Sequence, residues 1–456
     1  SGADYGRRIQ SIVWKLMAKV GVVSLGCDKN RVDSEIMLYN LRRGGFEITN
    51  DPSEAEIIIV NTCAFLESAR QEAIETTLEM ARYKHGKCKK LIMTGCLPQR
   101  FISEMFDEFT EVDGFLGTND YADVVSFIRG LDKRCYKVSP NTSRIEEGRR
   151  IVTTPGHYAY LRVADGCDNF CTYCLIPSIR GKYRSRPIEH IVEEAKDLVA
   201  AGAKELILIA QDLTKYGFDL YGKTCLVGLI RELSKIDGLV WIRLLYCYPE
   251  LIDGELIDEI ASNDKVAKYL DIPLQHSQDA VLKRMGRKST RESLEKLFFE
   301  LRSKVPDISL RTTFILGFPG ETQEDFDGLC DFVKTQRMNN VGFFTYSRED
   351  GTAAARMKNQ IPEKVKEQRL SNLAALQYDI VREQNASMQG KKLRVIIDEE
   401  ISSAENKFLY KARSQYNAPD IDGCVYVSSD KPLEAGQFTE IVVKGFSDYD
   451  LKGDAK

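Results

Sequence analysis

Residues 164–177, ADGCDNFCTYCLIP, place Cys167, Cys171 and Cys174 in a C-x3-C-x2-C spacing just after an apolar, strand-like run. Three thiolates on one loop can converge on one metal centre. A closed structural zinc or iron–sulfur site usually takes four protein ligands, so three leave one coordination position open for a substrate. The plainer readings are a zinc knuckle with a distant fourth ligand, or three cysteines buried as small hydrophobes. Context weighs against both. The run Tyr158-AYLRVA is the first of at least six strand candidates; Glu205-LILIA, Val240-WIRLLY, Tyr269-LDIP, Ser309-LRTTFILG and Val341-GFFTYS follow, separated by helix-like stretches. Repeated βα units of that number predict a partial TIM-type barrel over 151–390, in which chemistry gathers at the C-terminal strand ends.

Upstream, from Lys19 to about Arg150, short apolar runs again alternate with polar helical stretches, which predicts an open α/β domain with a parallel sheet over 17–150. Three of its strand candidates end in cysteine: Val22-VSLGC at Cys27, Ile57-IIVNTC at Cys63 and Leu91-IMTGC at Cys96. If those strands are parallel neighbours, their C-terminal ends lie side by side at the edge where open α/β sheets bind ligands. One cysteine at a strand end needs no function, since Cys is common in cores. Three in equivalent places, ahead of a second cysteine motif, favour another iron–sulfur centre. Cys88, Cys135, Cys225, Cys247, Cys330 and Cys424 share no spacing and read as core or surface thiols.

Downstream, a charged helical run from Pro362 to about Gln389 gives way to short β-rich segments, Lys392-LRVIID, Asn406-KFLYKAR, Gly423-CVYVSS and Thr439-EIVVKGF, which predict a small antiparallel barrel over 391–456. The fold class is therefore multidomain α/β, and 456 residues suffice for about three domains. No apolar run approaches the roughly 20 residues that cross a bilayer. The formal charge of −4 gives no whole-chain electrostatic footprint for nucleic acid, so direct nucleic-acid binding is not expected. Twelve cysteines at this density suit metal sites in a reducing cytoplasm better than a disulfide scaffold. Arg7-Arg8 and the stretch ending at Cys27 imitate a lipoprotein signal. Lys15 and Lys19 break its apolar core, and residues 1–16 read instead as an extension outside the fold.

Taken together, Ser24-LGCDKNRVDSE, Asn61-TC, Thr94-GC, Gly166-CDNFCTYC, Arg180-GKYRSRP, Arg311-TTFILGFPGET and Tyr346-SREDGTAA resemble the radical S-adenosylmethionine (SAM) methylthiotransferase family, over nearly the whole chain after Met17. The resemblance implies three parts: a methylthiotransferase domain with an auxiliary four-iron cluster, a radical-SAM partial barrel, and a small C-terminal barrel called TRAM. By position, Cys27, Cys63 and Cys96 match the auxiliary ligands. Cys167, Cys171 and Cys174 match the catalytic cluster, whose unique iron chelates SAM in that family. Reduction there yields a 5′-deoxyadenosyl radical, and the family chemistry replaces C–H by C–SCH3 with two SAM molecules in different roles. An electron donor such as flavodoxin or ferredoxin is implied as a partner.

The family acts mainly on adenosine in transfer RNA or on an aspartate of small-subunit ribosomal protein twelve. From Lys391 to Lys456 there are ten Lys/Arg against twelve Asp/Glu, a net charge of −2. A barrel gripping transfer RNA should offer cations to phosphates, whereas an acidic one suits a basic ribosomal protein. The ending Ser447-DYDLKG and the opening Ser24-LGCDKN also resemble the ribosomal-protein branch, although an acidic ending is often only a solvated tail. A non-catalytic iron–sulfur electron carrier is the reading from another class, disfavoured because simple carriers close their clusters with four ligands.

Further cofactor contacts are expected from Tyr173, able to pack on an adenine ring, and from Gln211, Arg243 and Thr313 near strand ends. Arg243 carries the fork that fits a SAM carboxylate. His276 is assigned no chemistry. Gly317-FPGE reads as a turn that lets backbone approach a cofactor. Asn30 and Asp33 read equally as groups orienting a cluster or substrate and as caps of the following helix.

Overall fold

The computed structural model describes residues 18–141, 145, 147–404 and 407–455. The extension expected at 1–16 lies outside them. The chain divides into two compact units. One runs through Thr153 and takes in Ala164–Phe170 and Cys174–Arg184; the other holds Thr154–Val163, Cys171–Tyr173 and the chain from Ser185 onward.

The first unit is built on β1 (Lys19–Ser24), β2 (Glu47–Ile48), β3 (Ile57–Thr62), β4 (Lys90–Gly95), β5 (Gly114–Leu116) and β6 (Cys135–Lys137), in the order β2-β1-β3-β4-β5-β6. Every pairing is parallel. All six residues of β3 are buried, which is why it opens on the continuous apolar run Ile57–Val60 rather than an alternating pattern. Strand order reverses around β1. The crevice at the C-terminal ends of β1 and β3 is thus the switch point where open α/β sheets take ligands, and Cys27 and Cys63 lie just beyond those two ends. The two-residue β2 and the three-residue β6 edge strands escaped the sequence reading, being too short to show a period.

In the second unit β7 (Tyr158–Arg162), β8 (Glu205–Ile209), β9 (Trp241–Leu244), β10 (Val266–Asp271), β11 (Ser309–Leu316) and β12 (Asn340–Thr345) form a parallel sheet in simple sequential order. That is the topology of a partial βα barrel, and all six strand candidates are present in it.

A 25-residue helix, Glu363–Ser387, leads from β12 to a closed five-stranded barrel. Its strands are β13 (Lys392–Ala404), β14 (Lys407–Ser414), β15 (Val425–Ser429), β16 (Phe438–Ser447) and β17 (Asp450–Ala455), in the order β13-β14-β15-β17-β16. Alternate residues fill the barrel, Leu393, Val395 and Ile397 from β13, Val425 and Val427 from β15, Ile441 and Val443 from β16, as the two-residue period of a strand requires. The expectation of a wholly antiparallel barrel needs correcting at one seam, since β15 and β17 pair parallel. The acidic ending is likewise not a solvated tail, because Leu451 is buried and β17 closes the barrel.

The second unit also shows what Arg243 does. Glu205, fully buried at the start of β8, bonds Arg243 Nε at 2.6 Å through one carboxylate oxygen and Arg413 Nη1 at 2.7 Å through the other. Arg243 Nη1 donates to the Gln415 carbonyl at 2.9 Å. Arg413 continues to Asp398 at 2.8 Å, and Asp398 to His157 Nε2 at 2.7 Å. Burial works against the ionised Glu205, but the two guanidiniums hold its carboxyl below the ordinary range. The expectation that Arg243 holds a cofactor carboxylate is therefore corrected: its fork is taken up joining the βα sheet to the small barrel.

Candidate active site

In the first unit the three dispersed cysteines surround one side chain. Asn30 lies one turn into α1 (Asp28–Arg43), whose N-cap is Cys27. Its Nδ2 donates to the carbonyls of Leu25 at 3.2 Å and Thr62 at 3.0 Å, the chain just ahead of Cys27 and Cys63. Its Oδ1 receives the thiols of Cys27 at 3.9 Å and Cys96 at 3.8 Å. Asn61 returns the tie by donating to the Asn30 carbonyl and to Ser34 Oγ, both at 2.9 Å. The N-cap of α1 is Cys27, whose side chain makes no cap hydrogen bond, while Asn30 ties together the chain ends that follow β1 and β3.

Two glycines explain the G-C dipeptides. Gly26 has φ +90° and a Cβ there would stand 2.8 Å from Cys63 Cβ; Gly95 has φ +98° and a Cβ would collide with the Asn61 side chain and the Thr62 backbone. Both positions demand the left-handed region and close backbone approach, which only glycine supplies cheaply. Cys96 then opens α2 (Cys96–Glu108). Two helix N-termini, behind Cys27 and Cys96, thus present positive ends that favour anionic sulfur.

Burial pushes the Cys96 thiol up to about 12, opposed chiefly by the nearby Arg180 guanidinium. Burial also raises Cys63, helped by the proximity of Cys27. These mutual influences place the three thiols within one charged neighbourhood. No three His, Cys, Asp or Glu side chains among the described residues converge on a single ion position, and three thiolates with no fourth protein ligand are the donor set of an open iron–sulfur cluster rather than of a closed one-ion site. Soft sulfur donors with an exposed Cys27 fit such a cluster.

The contiguous triad sits on a loop whose cysteines are anchored separately. In the first unit the Cys167 N–H donates to the Gly181 carbonyl at 3.0 Å. Cys174 Sγ accepts from the Ile176 N–H at 3.4 Å, at the start of α3 (Ile176–Arg180). Leu175 and Ile179 pack into that unit's core.

In the second unit Cys171 Sγ lies 3.0 Å from the Tyr248 hydroxyl. Arg287 stacks over the Tyr248 ring at 3.9 Å and is 6% exposed. One of its nitrogens, Nη2, donates to the Pro273 carbonyl at 2.8 Å, while Nε and Nη1 have no hydrogen-bond partner. Burial alone would favour losing its proton, yet Tyr248, Tyr173, Cys171 and Glu250 hold it firmly charged. A buried cation with two unpartnered nitrogens beside a candidate cluster ligand can receive a carboxylate, and sequence reading missed it. The residue follows a helix end at Gly286, with no strand to flag it.

The other expected contacts are mixed. Tyr173 is half-buried and meets Phe318 edge-on at 6.4 Å, beside Val281, Met285 and Tyr346. Gln211 lies two residues past β8. Thr313 belongs to the middle of β11 rather than its end, and its Oγ1 is 3.5 Å from Arg311 Nη1. The Gly317–Gly320 turn is shaped by Glu321, whose carboxylate accepts from the Gly317 N–H at 2.9 Å and pairs with Arg369 at 2.6 Å. His276 is fully buried, its Nδ1 accepting from the Gln278 N–H at 3.1 Å and its Nε2 3.6 Å from Glu321. These contacts are structural.

Comparison with known proteins adds three family matches. Residues 19–117 match the uncharacterized protein family UPF0004, 161–333 the radical SAM superfamily and 390–455 the TRAM domain. Among curated proteins, the chain is 52% identical over 440 residues to the ribosomal protein uS12 methylthiotransferase RimO of Clostridium perfringens, covering 95% of this chain and 97% of that one. It is 49% identical over 446 residues to the protein of that name from Acetivibrio thermocellus, covering 96% and 98%. Solved structures with a similar fold include the radical SAM methyltransferase TsrM from Kitasatospora setae, at TM-score 0.55, 14% identity and 85% and 79% coverage. The cobalamin-dependent radical enzyme OxsB follows at TM-score 0.51, 13% identity and 80% and 58% coverage.

Proposed function

Because the chain belongs to the ribosomal protein uS12 methylthiotransferase (RimO) family of radical-SAM transferases, we propose that it inserts a methylthio group at the β-carbon of an aspartate in uS12, using two SAM and two four-iron clusters. The observation that carries this reading is the gathering of Cys27, Cys63 and Cys96 around Asn30, in a chain that also bears the C-x3-C-x2-C loop. A reaction that both cleaves SAM and delivers sulfur uses two open centres, and a single-cluster enzyme has no use for the second triad.

Bound clusters supply one-electron chemistry that side-chain acids and bases cannot. The chain's own residues do the holding. Cys167, Cys171 and Cys174 ligate the catalytic cluster, and the Tyr248 hydroxyl steadies Cys171. Arg287 offers Nε and Nη1 to the SAM carboxylate in place of Arg243, while Tyr173 and the turn fixed by Glu321 line the nucleoside side. Gln211 and Thr313 are weaker candidates for the same pocket. Cys27, Cys63 and Cys96 ligate the auxiliary centre, their thiol protons leaving as iron binds.

The three functional segments are 17–150, 151–390 and 391–456. The acidic last segment suits a basic protein substrate by steering, rather than nucleic acid. The setting is the cytoplasm, with a flavodoxin or ferredoxin as donor; no helix among the described residues is long and apolar enough to cross a membrane.

The test is anaerobic reconstitution with SAM and reductant, offering a uS12 peptide and transfer RNA in parallel. A methylthio mass gain on the peptide's aspartate with 5′-deoxyadenosine release is expected. Gain on transfer RNA alone overturns the substrate, and absence of 5′-deoxyadenosine overturns the radical chemistry.

A further inference from the structure

Arg180 is a charged residue that the two cysteine motifs do not account for. It ends α3, the short helix that starts two residues after Cys174, and it is 2% exposed. Its Nη2 donates to Asn30 Oδ1 at 2.6 Å and reaches Cys96 Sγ at 3.9 Å. Its Nη1 lies 2.8 Å from Asp33 and 3.5 Å from Asp165. Arg184 Nη2 stands 3.6 Å from the same Asp165 oxygen. The network holds two carboxylates and two guanidiniums, and within it Arg180 is the cation that touches sulfur.

We propose that Arg180 is a positioning residue of the auxiliary centre, whose charge and N–H donors beside Cys96 set that centre's reduction potential and hold its third thiolate in place. This rests on the reading of Cys27, Cys63 and Cys96 as cluster ligands. The electrostatic reason is direct. Three thiolates on a four-iron core leave net negative charge, and each added electron raises it, so a desolvated cation at contact distance favours the reduced form. Asp33 opposes this by neutralising part of Arg180. The orientation is fixed by the side-chain Oδ1 of Asn30, which receives Arg180 and the Cys27 and Cys96 thiols together. Arg180 also shares a helix with the Cys174 anchor, so the group that tunes one centre is carried by the loop that ligates the other.

Potential separates this role from a purely structural one. In full-length protein with Cys167, Cys171 and Cys174 all replaced by Ala, only the auxiliary cluster reports. Arg180→Met there is expected to make one-electron reduction harder by roughly tenfold or more, about 59 mV per decade, with faster loss of iron to a chelator. Arg180→Lys keeps the charge and restores most of the potential. Asp33→Asn shifts the potential the opposite way, to easier reduction, an opposite sign that simple loosening of the fold does not produce. If Arg180→Met does not fold, the Lys and Asp33→Asn variants carry the test alone. Variants that shift together in one direction, or not at all, overturn the role of Arg180 and leave the cluster reading standing. Absence of iron in the triple-Ala parent overturns the cluster reading itself.

Discussion

Cys167, Cys171 and Cys174 fall within eight residues of one loop, whereas Cys27, Cys63 and Cys96 are spread over seventy residues and come together only because β1, β3 and β4 are neighbours in a parallel sheet. The first set owes its arrangement to local spacing. The second owes it to tertiary structure, and so it needs a supporting cast: Asn30 tying two strand ends, Asn61 tying back to Asn30, and glycines at 26 and 95 that let the loops approach. A dispersed site is therefore more sensitive to residues that never touch its cofactor.

The largest effects should come from the cysteines proposed as ligands. Cys171→Ala is expected to abolish 5′-deoxyadenosine formation, while Cys63→Ala retains some SAM cleavage and loses methylthio transfer. Equal methylthio transfer in both variants, read by product mass, breaks the division of labour. The next effect concerns the cluster-free protein. With its thiol pushed up to about 12 from an ordinary 9, Cys96 should alkylate roughly a thousandfold more slowly at pH 8 than an unperturbed thiol, because only the thiolate reacts. The sign of the linked stability follows: the raised value favours the folded apo protein below pH 9, and that contribution is lost as pH rises from 9 toward 12. Mass spectrometry of iodoacetamide-treated apo protein checks the rate, and fast labelling of Cys96 removes the argument for burial.

A smaller effect is expected at Asn30→Ala, roughly 10–100-fold in retention of the auxiliary iron, as for other groups that orient metal ligands. Iron at the C-x3-C-x2-C loop should be unaffected in the same variant; chelator-challenge assays separate the two pools. The least effect on either centre is expected at Glu205→Gln. That change weakens the partner of two buried guanidiniums and should cost about 3–5 kcal/mol, seen as a lowered denaturation midpoint with unchanged iron content. A fall in SAM affinity instead would return Arg243 to the cofactor.

The βα repeats, the long helix and the meeting of Cys27, Cys63 and Cys96 at neighbouring strand ends were legible because each is written in local periodicity or in a recurring strand-end pattern. What escaped is carried by side chains whose partners are remote in sequence. Arg243 looked like a cofactor ligand because a forked cation near a strand end has that chemistry, yet its Glu205 and Gln415 partners come from separate segments. Arg287 was passed over for the complementary reason: nothing around it in sequence signals that Tyr248 and Cys171 stand beside it. Asn30 was half-read, since a polar residue at a helix start has a cheaper local explanation than a span of thirty-two residues to Thr62. The parallel β15–β17 seam was hidden because strand patterning does not encode direction.

The Glu205 junction has a bearing on how such chains diversify. One carboxylate shared by Arg243 of the βα sheet and Arg413 of the small barrel means that none of the three can change alone without leaving a buried charge stranded. Substitutions there should appear in lineages as concerted sets rather than singly. For the same reason the small barrel is not a free cassette: grafted onto another βα domain to alter its target, it would need the acceptor to bring its own Glu205, Arg243 and His157 equivalents, so recombination within this family should respect that seam.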